Sequence, residues 1–147
     1  MPRPALKIRT FEIQADRKRG EGLRIGVTRK QPRGVEKKDW VRLNYFDLWQ
    51  PSLAPSAKLR KWVKNHDIVG NPEHWATFKA RYEKEMTGTA EPRQQLILLA
   101  ETAKRIPISI GCNCENEKRC HRSILLRLIK RAATRPFQNA KLSSVNE

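Results

Sequence analysis

All three cysteines of the chain fall within one short stretch, Gly111-Cys-Asn-Cys-Glu-Asn-Glu-Lys-Arg-Cys-His-Arg-Ser123. Cys112, Cys114, Cys120 and His121 are residue types that bind thiophilic metals, and the set suits zinc. The spacing is unusual for that purpose. One residue separates the first pair, where paired zinc cysteines have two to four between them. Cys120 and His121 are adjacent, and neighbouring positions on a helix point about 100° apart. A second reading makes Cys120 and His121 the reacting groups. Arg119, Arg122 and the positive end of a helix starting near His121 would favour a thiolate at Cys120. On the same reading His121, Arg122 and Ser123 would capture an anion at that helix start. The third reading is structural: small buried thiols and a basic helix cap. A phosphatase-type loop is excluded, because the fifth intervening residue after Cys112 leads to Lys118 and after Cys114 to Cys120, never to an arginine.

Two further arginines stand where an anion would be held. Arg29 and Arg33 flank the break Gln31-Pro-Arg-Gly34 that follows an apolar stretch, and a guanidinium fork can grip phosphate or carboxylate with two parallel bonds. His66-Asp67 has the composition of a general-base pair, but adjacent residues rarely orient each other, so it reads as polar loop. Trp40, Tyr45 and Trp49 read as core, with base stacking as the alternative in so basic a chain. No glycine-rich phosphate loop, Ser-His-Asp signature or paired-carboxylate motif stands out.

Positioning these residues requires strands that end near them. Leu6 to Ile13 alternates apolar and polar residues at period two, as a strand does. Asp16 to Gly22 is a polar turn with two glycines, and Leu23-Arg-Ile-Gly-Val27 resumes the alternation. Ile106-Pro-Ile-Ser-Ile110 is a short apolar run suited to a buried strand, and it leads straight into the cysteines. A short helix is expected over Lys37 to Leu43. Ser56 is a good N-cap for a helix through Leu59, Trp62 and Val63. Asn71-Pro72 starts the next helix, whose face would be Trp75, Phe78, Tyr82 and Met86. Pro92 opens another with Leu96, Leu99, Ala100 and Ala103, and a last one runs from His121 to Pro136. Strands alternating with helices give an α/β class. The expectation is one compact domain over residues 1–136, with a small, mostly parallel sheet flanked by helices. A loose basic and polar tail would occupy 137–147. The cysteine segment then joins a strand to a helix, where open α/β sheets bind their ligands.

Composition bounds the rest. The 147 residues carry 31 Lys and Arg against 15 Asp and Glu, a formal net charge of +16. Charge concentrates at both ends: residues 1–38 are net +8, 39–100 net +2 and 101–147 net +6. If the two ends meet in the fold, they form a positive face that attracts phosphate polymers through counterion release. No run approaches the ~20 apolar residues needed to cross a bilayer. No basic amphipathic helix with an aromatic face points to a membrane surface. An odd number of cysteines and no secretory signal in Met1 to Thr10 argue for a reducing, cytoplasmic setting.

Several blocks resemble the domain-of-unknown-function family 488. They are Gly22-Leu-Arg-Ile-Gly-Val-Thr-Arg-Lys-Gln-Pro-Arg-Gly-Val35, Asp47-Leu-Trp, Leu53-Ala-Pro-Ser56, Leu59-Arg-Lys-Trp62, the stretch Trp75 to Met86, and Cys120-His-Arg-Ser123. The resemblance runs in order over residues 6–133 and implies a compact α/β domain with no established reaction. One block departs from it. Members commonly carry Asp-Arg-Leu-Trp before Pro-Arg-Gly, and this chain has Thr28-Arg-Lys-Gln31, so a role for that acidic residue cannot sit at Thr28.

The expected function is binding of, or action on, nucleic acid or a nucleotide-like anion. Arg29, Arg33, His121, Arg122 and Ser123 would hold it, with Cys120 as the reactive group. Two alternatives remain open at this point: a thiol- or zinc-dependent stress or redox protein, and an adaptor that holds nucleic acid through charge alone. No cofactor is expected besides zinc, and the sequence assigns no oligomeric state.

Overall fold

The structure, a computed structural model, describes residues 6–114 and 116–135. The expected tail at 137–147 lies outside the described residues. Four strands form one parallel sheet: β1 (Ile8–Glu12), β2 (Leu23–Gly26), β3 (Leu48–Trp49) and β4 (Ile108–Cys112), in the order β1-β4-β2-β3. β4 lies between the first two, with Ile8 opposite Ile108 on one side and Leu23 opposite Ile108 on the other. Every residue of β4 is buried, as an apolar run in the middle of a parallel sheet must be.

Four helices accompany the sheet: α1 (Ala57–Lys64), α2 (Pro72–Gly88), α3 (Ala90–Ala103) and α4 (His121–Thr134). Their starts follow the local chemistry. Ser56 Oγ accepts from the Leu59 amide at 3.1 Å. Asn71 Oδ1 accepts from the amides of Glu73 and His74, and Pro72 takes the first helical position, where no amide hydrogen is needed. The buried faces are Phe78, Tyr82 and Met86 on α2, Leu96, Leu99, Ala100 and Ala103 on α3, and Ile124, Leu125, Leu128 and Ile129 on α4. They pack with Ile8, Ile25, Val27, Ile108, Ile110 and Cys112 from one face of the sheet.

The opposite face is covered by rings. Phe11, Ile13, Trp40 and Phe46 form a second cluster there. Two glycines opposite each other in the register, Gly26 and Gly111, let the rings lie flat on the strands. A Cβ on Gly26 would stand 2.4 Å from Phe46 Cδ1, and one on Gly111 would stand 2.5 Å from Phe11 Cζ. The strand pattern at 23–27 therefore has two buried sides. Arg24, on the ring face, is fully buried; its guanidinium bonds Glu21 through Nε at 2.6 Å and caps the Phe11 ring at 4.4 Å.

Two local expectations differ from the structure. The helix expected over Lys37 to Leu43 is only a 3-10 turn at Lys37–Asp39, because Trp40 is drawn into the ring cluster and the chain turns beneath it. The two-residue β3 pairs with β2 through Ile25 and Gly26 and carries no alternation to reveal it. Among the described residues no helix is long and apolar enough to cross a membrane.

Candidate functional site

The site lies where β2 and β4 end. The ladder to β4 continues one step past β2 and β1: the Val27 amide donates to the Gly111 carbonyl at 2.9 Å, and the Ile13 amide to the Cys112 carbonyl at 3.1 Å. Beyond Cys112 the chain leaves the sheet and passes Cys114. After the 3-10 turn Glu117–Arg119, it enters α4 at Cys120. Cys120 is the N-cap, with extended backbone at φ −128° and ψ 151°. Ser123 ties this corner by donating to the Cys120 carbonyl from both its amide, at 3.1 Å, and its hydroxyl, at 2.8 Å.

The fold gathers Cys112, Cys114, Cys120 and His121 so that their sulfur and ring-nitrogen atoms all lie within 4.8 Å of one another. The sulfurs of Cys112 and Cys120 are 2.9 Å apart, and Cys120 Sγ is 3.7 Å from His121 Nδ1. His121 Nε2 is 2.9 Å from the Val27 carbonyl. A carbonyl only accepts, so Nε2 carries the proton and the lone pair on Nδ1 faces the thiols. Burial pushes the His121 pKa down and keeps the ring neutral.

The thiolate favoured by these surroundings is not the one expected at Cys120. Hydrogen bonds from Cys112 and Cys120 hold the Cys114 pKa at about 3; burial opposes them, and the charges of Arg122 and Arg60 assist. The same bonds, with burial, push the Cys120 thiol up. Cys120 is buried, whereas Cys114 is exposed.

Above the cluster opens a cavity of about 430 Å³. Cys112, Cys114, Cys120 and His121 line it on one side, with Tyr45, Phe46 and Phe78 as aromatic wall. Six cations line it: Arg29, Lys30, Arg33, Arg60, Lys64 and Arg119, with no carboxylate beside them among the described residues. None of the six is in an ion pair with a described residue. Nη1 of Arg119 is buried with no hydrogen-bond partner among the described residues.

Of the residues expected to bind anion, the fold thus brings Arg29 and Arg33 to the cysteine cluster, from a loop at least 79 positions away in sequence. Arg122 and Ser123 are placed otherwise. Arg122 is buried and donates Nη1 to the carbonyl and sulfur of Cys112, at 3.2 and 3.6 Å, and does not line the cavity. Ser123 caps α4. Arg60 and Lys64, one turn apart on α1, were not singled out from sequence. Their i, i+4 spacing beside Val63 was the available signal. His66 and Asp67 are loop residues: His66 stacks on Trp62 at 4.0 Å, and Asp67 accepts from the amides of Val69 and Gly70. Trp40 is buried in the ring cluster, with Tyr45 and Trp49 packed against it.

Comparison with known proteins places the chain. Uncharacterized protein YeaO of Escherichia coli (strain K12) is 28% identical over 120 residues, covering 82% of this chain and 94% of that protein. Uncharacterized protein Rv3073c of Mycobacterium tuberculosis (strain ATCC 25618 / H37Rv) is 25% identical over 123 residues, covering 84% of this chain and 93% of that protein. No solved structure matches. The model of the DUF488-N3a family, described as the active DUF488-N3 subclade, matches residues 8–133, which include every strand, all but the last residue of α4, and the whole of the cysteine cluster. This chain belongs to that family.

Proposed function

We propose that the cavity at the ends of β2 and β4 binds a phosphate-bearing ligand of about mononucleotide size. The observation that carries this reading is the convergence of six cations, with no carboxylate among the described lining residues, on a concave site beside His121 and the thiols. Gathering that much like charge destabilises the free protein, and a bound dianion relieves the repulsion. Arginine forks suit phosphate oxygens. The volume lies within the ordinary range for small-molecule sites. The aromatic wall offers an apolar surface to the rest of such a ligand. A concave site of this size favours a nucleotide, or one terminal nucleotide of a strand, over the flank of a duplex.

Isothermal titration with adenosine monophosphate and with adenosine tests this directly. The monophosphate is expected to bind and adenosine to bind far more weakly. Affinity should fall as salt rises, since the cations are at the surface. Arg60→Ala should weaken the monophosphate by about 10-fold, as loss of one charge-assisted bond in a partly exposed site predicts. Equal behaviour of the two compounds at low salt, or unchanged affinity in the variant, would refute the reading.

A further inference from the structure

We infer that Cys112, Cys114, Cys120 and His121 form a zinc site that fastens the end of β4 to the start of α4. The donor set is three thiolates and one imidazole, a combination that zinc takes in closed, tetrahedral, structural sites. Ligands about 2.0–2.3 Å from such an ion stand roughly 3.5–3.8 Å from one another. The four donor atoms here already lie within 4.8 Å of each other, on both sides of that spacing, so small side-chain rotations suffice.

The sequence objection was that Cys120 and His121 are neighbours and would diverge on a helix. The backbone removes it. Cys120 is extended and lies outside the helix, while His121 is its first residue, so the two side chains leave the chain at angles that let both face one point. Their donor atoms are 3.7 Å apart.

The surroundings are those of a metal site as well. A ligating histidine usually donates its other ring N–H to a carbonyl or carboxylate, which fixes the ring and the tautomer. His121 does so to Val27, leaving Nδ1 toward the sulfurs. Arg122 donates to Cys112 Sγ and to its carbonyl. Three thiolates around one divalent ion carry a net −1, and the buried guanidinium of Arg122 is the matching charge.

The inference stands independently of what the cavity binds, and its test contains no nucleotide. The full chain is reduced, stripped with a chelator, desalted and titrated with zinc. Native mass spectrometry should then show a gain of one zinc per chain. Cys114, the exposed thiol and the prompt one toward Ellman's reagent in the stripped protein, should become protected. Cobalt(II) in place of zinc should give the sulfur-to-metal charge-transfer band and visible bands of a tetrahedral thiolate site. Cys114 is exposed, so Cys114→Ser leaves the packing intact and should weaken zinc by at least about 100-fold, beyond the range typical of outer-shell partners. No retained zinc would overturn the inference. So would bound zinc that leaves Cys114 as reactive as in the stripped protein, or a Cys114→Ser variant with unchanged affinity.

Discussion

Replacing Glu21 by Gln is the most direct test of how β2 is held. Arg24 is fully buried, and Glu21 is 4% exposed. The guanidinium donates to both Glu21 oxygens, at 2.6 and 3.2 Å, to the Asn44 carbonyl at 2.9 Å and to the Ala15 carbonyl at 2.8 Å. Glu21→Gln keeps the shape and one acceptor but leaves a buried cation without its counter-charge. Removing one partner of a buried pair costs about 3–5 kcal/mol; with the two carbonyls and the Phe11 ring still in place, the lower end applies, about 3 kcal/mol. Urea unfolding should show it as a midpoint lower by about 1.5 M, for a slope of about 2 kcal/mol/M. The sign of the pH dependence follows from Glu21 itself. Burial raises its pKa, but the bonds from Arg24 and the Lys18 amide outweigh burial and leave it lowered from the ordinary 4.5. Its contribution is therefore fully present above pH 4.5 and is lost as pH falls through the lower folded value. The gap between wild type and variant should close over that same range. A variant within about 0.5 kcal/mol of wild type at pH 7 would show that Arg24 does not depend on Glu21, and would refute this account of the buried pair.

Two other substitutions probe the scaffold. Gly26→Ala drives a methyl into the Phe46 ring and should cost at least about 1–3 kcal/mol by thermal or urea unfolding, with a smaller loss when Phe46→Leu is added. Asn71→Ala removes the acceptor for two α2 amides and should cost about 1 kcal/mol, read from the same curves, without changing the affinity for adenosine monophosphate.

Much of the fold was legible because local and global preferences agree. Ser56 and Asn71-Pro72 announce α1 and α2, and Ile108 to Ile110 could only be an inner strand. Where they disagree, the sequence reading failed for identifiable reasons. Arg24 sits in an alternating pattern that ordinarily signals one wet face, and nothing local says that Phe11 and Phe46 cover it. β3 is two residues long and exists only through its pairing with β2. At the site, the cysteines and His121 were visible as a cluster, but the extended backbone at Cys120 is set by the corner between the 3-10 turn and α4, which spacing does not encode. Arg60 and Lys64 line the cavity together with the loop after β2 and the cysteine segment, a meeting of distant segments that spacing does not encode.

The position of β4 also sets the timetable of folding. β1 and β2 do not pair with each other; β1 pairs only with β4, and β2 with β4 and the two-residue β3, and the first residue of β4 follows the start of β1 by 100 positions. On a ribosome adding about 5–20 residues per second, the two early strands wait on the order of 5–20 s for their shared partner. Their unpaired edges are exposed throughout that interval. The helices α1, α2 and α3 emerge in the meantime and can form locally, but they have no sheet to pack on. Loop closure across so long a segment makes the pairing step slow, so the moment at which β4 threads between its neighbours should govern both the folding rate and the yield of soluble chain.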